Sequence, residues 1–128
     1  MRKDGVGELV SRAVTAILDK KGLSVVALDL RGLTDYADAL VIASGTSDRH
    51  VMAIGEAVVD AFGVAGERAL GVEGMERGHW ILIDYGDIVV HVFHEPVRAL
   101  YDLEGLWTDA TRLPLELPAE ALPRAALY

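Results

Sequence analysis

Residues 80–94 constrain the fold more than any other part of this chain. Trp80–Asp84 and Ile88–Phe93 are two apolar runs on either side of Tyr85-Gly86-Asp87. Short runs rich in Ile and Val, broken by a turn of this composition, read as a β-hairpin. Pro96 follows at once. It suits the first turn of a helix, where its missing N–H breaks no hydrogen bond. That last helix is expected to carry Val97, Leu100 and Tyr101 and to reach toward Trp107.

The preceding chain supplies partners for this unit. From Asp4 to Lys21, the residues Val6, Leu9, Val10, Ala13, Val14 and Ile17 recur at helical spacing and form one apolar face. Lys20 and Lys21 suit the negative end of the helix dipole, and Gly22 is a natural stop. Leu23–Leu30 and Ala39–Ser44 read as strands, the second short and apolar enough to be buried on both faces. The TDYAD segment between them reads as a polar loop. Thr46 or Ser47 can cap a second helix running to Phe62, with Asp48 adding favourable charge. Val51, Ile54, Val58, Val59 and Phe62 form its stripe. Gly55 lies within it at a cost of about 1 kcal/mol relative to alanine, so close packing against a strand is expected there. Residues 65–78 are looser, with a short strand near Ala69–Val72. The order α-β-β-α-(β)-β-β-α predicts an α/β (α+β) fold: a mixed β-sheet of about five strands packed with helices. The chain is expected to divide into a domain over 1–109 and a Pro-rich tail over 110–128. Pro114, Pro118 and Pro123 make that tail irregular, while Leu113, Leu115, Leu117, Leu122 and Leu127 let it lie along the domain or a partner.

A length of 128 residues, 52% of them hydrophobic, suits one domain of about 100–150 residues. The absence of cysteine excludes disulfides, thiolate metal sites and a cysteine nucleophile. No apolar run approaches the ~18 residues of a membrane span, and MRKDGVGELV lacks the apolar block of a signal peptide. A cytoplasmic protein is the expectation. Net charge is −8, and it is unevenly spread. Residues 67–109 hold nine acids against Arg68, Arg77 and Arg98. Binding to bare phosphate needs clustered Lys and Arg, so direct nucleic-acid recognition is not expected. A basic protein surface is the better electrostatic partner.

The residues that could carry chemistry do not converge. A zinc site needs three or four ligands around one point. His91 and His94, three apart in a strand, point to opposite faces, and His50 and His79 lie elsewhere. Ser44-Gly45-Thr46-Ser47 joins a strand to a helix N-terminus and could cradle an anion. It matches neither GxxxxGK[ST] nor GxGxxG, and most such turns are caps. A nucleotidyltransferase would further need two acids on one strand face to hold Mg²⁺. Asp35 and Asp38 are three apart, and so are Asp84 and Asp87. ASGTS is not the GxSxG of a hydrolase. No cofactor and no catalytic residue is therefore assigned. Recognition remains. Trp80 and Tyr101 have polar tips suited to a partly wet contact, while Trp107 is expected to anchor the last helix. Acids surround them: Glu73, Glu76, Asp84, Asp87, Glu95, Asp102 and Glu104. Trp80, Tyr101, Leu100, Glu73, Asp84, Asp87 and Glu104 form the expected partner-binding set.

The segments TDYADALVIASGTSDRHVMAI, GVEG and GHWILIDYGDIVVHVFHEPVRALYDLEGLW together resemble the Iojap or ribosomal silencing factor family. The resemblance covers about residues 7–109. It implies a nucleotidyltransferase-like fold that lacks the metal-binding acids. It also implies binding to the large ribosomal subunit through the basic ribosomal protein L-fourteen. On that surface the protein would block joining of the small subunit and damp translation in starvation or stationary phase. Organellar relatives act in large-subunit biogenesis, and family members tend to form a homodimer when free. The resemblance associates the positions of Trp80 and Tyr101 with the ribosomal interface. A large-subunit assembly factor, or a nucleotide-binding enzyme using the Gly45-Thr46-Ser47 turn, are the alternatives.

Overall fold

A computed structural model describes residues 5–123. Helix α1 (Gly5–Asp19) leads into β1 (Leu23–Asp29), β2 (Ala39–Gly45) and α2 (Asp48–Val64). A short β3 (Gly71–Glu73) precedes the hairpin of β4 (Trp80–Asp84) and β5 (Ile88–His94). Then come α3 (Glu95–Tyr101), α4 (Leu103–Leu106), β6 (Thr111–Arg112) and a 3-10 turn at Ala119–Ala121. Asp4, the expected start of the first helix, and Leu127 in the tail lie outside the described residues.

The strands form one mixed sheet in the order β3-β4-β5-β2-β1-β6. Strands β2 and β5 run parallel, and the other neighbouring pairs are antiparallel. Helices α1 and α2 cover one face. Leu9, Ala13 and Ile17 of α1 and Val51, Ile54, Val58 and Phe62 of α2 pack there against Val25, Val41, Ile81, Ile83, Val90 and Val92. Strand side chains alternate, so the intervening residues build a second, smaller cluster on the opposite face. It comprises Val26, Leu28, Leu40, Ile42, Val89 and Phe93, with Trp80, Leu82, Val97, Leu103 and Trp107 packed on its border. Burial on both faces explains why β2 and β5 read as nearly unbroken apolar runs.

Helix α2 starts where its cap is. Ser47 accepts a hydrogen bond from the His50 N–H at 3.1 Å, filling one of the orphan donors of the first turn. Gly55 meets the expected close approach: a Cβ there would lie 2.9 Å from Ile81 Cδ1 and 3.2 Å from Met75 Sδ.

Two departures concern the C-terminal part. The single last helix expected from the sequence is broken at Asp102, which takes the left-handed conformation (φ 46°, ψ 55°) and donates its N–H to the Arg98 carbonyl. Asp is among the few L-residues that adopt this region readily. The tail is also more ordered than its prolines imply. Thr111 and Arg112 pair with Asp29 and Leu28, adding a sixth strand at the β1 edge. The Leu113 N–H then donates to the Ala27 carbonyl at 2.8 Å. Leu113, Leu115 and Leu117 pack against the helix-side core, and Ala121 is buried within it.

Candidate functional site

The face opposite α1 and α2 carries most of the residues singled out for recognition. Pairing of β3 with β4 sets Glu73 opposite Leu82 and Gly71 opposite Asp84. Glu73, Trp80, Leu82 and Asp84 therefore share this face, because alternate residues of a strand point the same way. The half-buried Trp80 lies against Phe93, with ring centroids 4.9 Å apart. Its indole N–H donates to His91 Nδ1 at 2.9 Å. The Tyr101 ring, brought over from the end of α3, rests on the outer side of Trp80 at 4.8 Å and a tilt of 43°. Tyr101 is 55% exposed and its neighbour Leu100 is 78% exposed. An aromatic pair half fixed in the core and half open to water is the usual construction of an interface anchor.

Tyr36 joins them, although its loop gave no sign of this in the sequence. The Asp38 and Ala39 N–H groups both donate to the Asp87 carbonyl. This ties the loop before β2 to the hairpin turn. The phenol of Tyr36 is pushed above its usual pKa, first by burial and then by the charges of Asp84 and Glu73. Tyr36 is 52% exposed and within electrostatic reach of both acids. Asp84 also accepts the Gly86 N–H at 2.8 Å, which holds the turn. Asp87 sits in that turn with its side chain exposed.

Glu104 requires correction. It is turned inward, 9% exposed, with Oε2 2.7 Å from Nη2 of the fully buried Arg98. A carboxylate committed to a buried guanidinium is not part of an acidic surface. Trp107 packs half-buried on the second cluster, as an anchor would.

The remaining candidates resolve into structural roles. His91 lies under Trp80, and burial lowers its pKa to about 4. His94 points the other way, where it and His79 approach Asp48 Oδ1 at 3.4 and 3.0 Å. The turn at 44–47 is filled by its own side chains. The Thr46 N–H donates to His50 Nδ1 at 2.9 Å. His50 Nε2 in turn donates to the Lys20 carbonyl at 2.8 Å, and Ser47 takes the His50 N–H. Two N–H groups at this turn, those of Thr46 and His50, are thus turned onto the protein itself. Among the described residues, no helix is long and apolar enough to cross a membrane.

Comparison with known proteins identifies the family. The sequence model of the family described as "Ribosomal silencing factor during starvation" matches residues 3–126. The chain is 44% identical over 109 residues to the ribosomal silencing factor RsfS of Halalkalibacterium halodurans, covering 85% of this chain and 93% of that protein. It is 39% identical over 104 residues to that of Bacillus subtilis, covering 81% and 88%. A crystal structure of a protein from Chromobacterium violaceum superposes with a TM-score of 0.79 at 36% identity, over 92% of this chain and 97% of the other. This chain belongs to the ribosomal silencing factor family.

Proposed function

We propose that this protein docks through the Trp80–Tyr101 face onto the basic ribosomal protein L-fourteen of the large subunit. Once docked, it excludes the small subunit by its bulk. The observation that carries this reading is the contact of Trp80 with Tyr101 on the sheet face that α1 and α2 leave uncovered, with Glu73 and Asp84 on the same face. Aromatic anchors ringed by acids match a basic protein surface in both shape and charge. Steric exclusion needs no catalytic residue and no cofactor, and the site of action would be the cytoplasm. The free chain, with this face uncovered, is a candidate to self-associate.

The test is a subunit-joining assay in which the protein is added to purified large subunits before small ones. Wild type is expected to hold subunits apart. Tyr101→Ala should weaken large-subunit binding about 30-fold, equivalent to about 2 kcal/mol for a central aromatic. Its side chain is largely exposed, so the fold should survive. Trp80→Ala should weaken binding further, with some loss of stability because the indole also holds Phe93 and His91. Free joining in the presence of saturating wild-type protein would reject the reading. Accumulation of immature large subunits on sucrose gradients in cells lacking the protein would assign an assembly role instead.

A further inference from the structure

We propose that the buried Arg98–Glu104 pair sets the shape of the docking face, by holding Tyr101 against Trp80. This rests on the docking role of that face. Helix α3 has seven residues and α4 has four, too few to hold a conformation unaided. The corner between them is fixed from below. Arg98 is 0% exposed. Its Nη1 donates to the Ser24 carbonyl at 2.6 Å and to Ser44 Oγ at 2.8 Å, and its Nη2 donates to Glu104 Oε2 at 2.7 Å. One side chain of α3 thereby grips β1, β2 and α4 together. Ser24 falls in a break of the β1–β2 register, between the paired residues Leu23 and Val26, and has a φ of 48°. Its carbonyl is accordingly available to the guanidinium rather than to a strand neighbour.

Tyr101 lies between the two members of the pair, at the last position of α3 before the left-handed Asp102. Closure of Arg98 on Glu104 therefore fixes the angle of the corner, and with it the seat of the Tyr101 ring on Trp80. Leu100 and Leu106 are exposed on the same corner and move with it. Replacing a buried ion pair with apolar side chains of similar size is often neutral for stability, whereas the pair can specify one geometry among several. Because Arg98 also serves the Ser24 carbonyl and the Ser44 hydroxyl, stability and docking are measured separately.

The double variant Arg98→Met/Glu104→Leu takes the guanidinium away from the Ser24 carbonyl and the Ser44 hydroxyl as well, so it should melt below wild type, and binding is compared at a temperature where both are folded. There it should bind large subunits about as weakly as Tyr101→Ala does. Adding Tyr101→Ala to it should cause little further loss, since the pair acts through that ring. Wild-type affinity in the double variant, or losses that multiply in the triple variant, would overturn the proposal. A second readout needs no ribosome. In a Trp107→Phe background, the fluorescence of Trp80 reports the Tyr101 contact. The double variant should give the emission of Tyr101→Ala, and the parent emission would overturn the proposal. If Tyr101→Ala bound large subunits normally, the docking role itself would fail, while the emission comparison would still judge the pair. Should the double variant not fold, Glu104→Ala, which removes the acceptor for Arg98 Nη2, is read in the same two ways.

Discussion

His91 shows how much one buried side chain ties together on this face. Its Nδ1 accepts the Trp80 indole N–H, a bond that a protonated imidazole cannot accept. Burial lowers its pKa from 6.5 to about 4. The neutral form is thus the folded form. Its contribution is complete above the unfolded pKa near 6.5 and is lost as pH falls toward 4. A shift of this size corresponds to about 3 kcal/mol. His91→Gln keeps an acceptor but does not titrate. Urea unfolding should therefore show wild type losing about 2 kcal/mol more than His91→Gln between neutral pH and pH ~4.5. Equal losses would show that His91 is not the titrating group. At this scale the sequence was informative where chemistry is intrinsic to the residue. Trp80 and Tyr101 are amphipathic wherever they stand. Exposure of an acid is not intrinsic: Glu104 meets Arg98 six residues away, a spacing outside the helical i, i+3 and i, i+4 pattern, reached only because Asp102 breaks the helix. Tyr36 was missed because its place depends on a loop tied to the hairpin turn through backbone bonds.

Secondary-structure elements followed period and punctuation closely. The hairpin, both long helices and the buried β2 lie within a few residues of their expected limits, because their apolar spacing and caps are strong local signals. Strand β6 is two residues long in a Pro-rich segment, so it carries no period to read. Its pairing comes from the open edge of β1. Gly55 is a case in which local propensity and packing oppose each other. Alanine would favour the α2 helix by up to about 1 kcal/mol. However, its Cβ would press on Ile81 Cδ1 and Met75 Sδ. Ile81 is fully buried in β4, where overpacking costs roughly 1–3 kcal/mol. The packing cost should win. Gly55→Ala is expected to lower stability by about 1 kcal/mol in chemical denaturation. A more stable variant would show that β4 yields and that the helix–sheet spacing is not fixed by this glycine.

Across the whole molecule, the charge balance bears on the proposed basic protein partner. The buried Arg98–Glu104 pair removes one acid and one base from the surface balance of residues 67–109. The excess of nine acids over three arginines there is therefore still carried outside the core. Part of it, at Glu73 and Asp84, lies on the face that holds Trp80. Exposed charges act at long range mainly on association and are screened over about 10 Å at 0.1 M salt. Binding to isolated ribosomal protein L-fourteen should thus weaken roughly tenfold between ~50 and ~500 mM KCl, chiefly through slower association. Glu73→Gln/Asp84→Asn should bind more weakly at low salt and depend less on salt. The sign of that double substitution is the decisive part. If the face instead met ribosomal RNA, removing two negative charges would relieve repulsion from phosphate and strengthen binding. Weaker binding on neutralising the acids identifies a basic protein surface, and stronger binding rejects it.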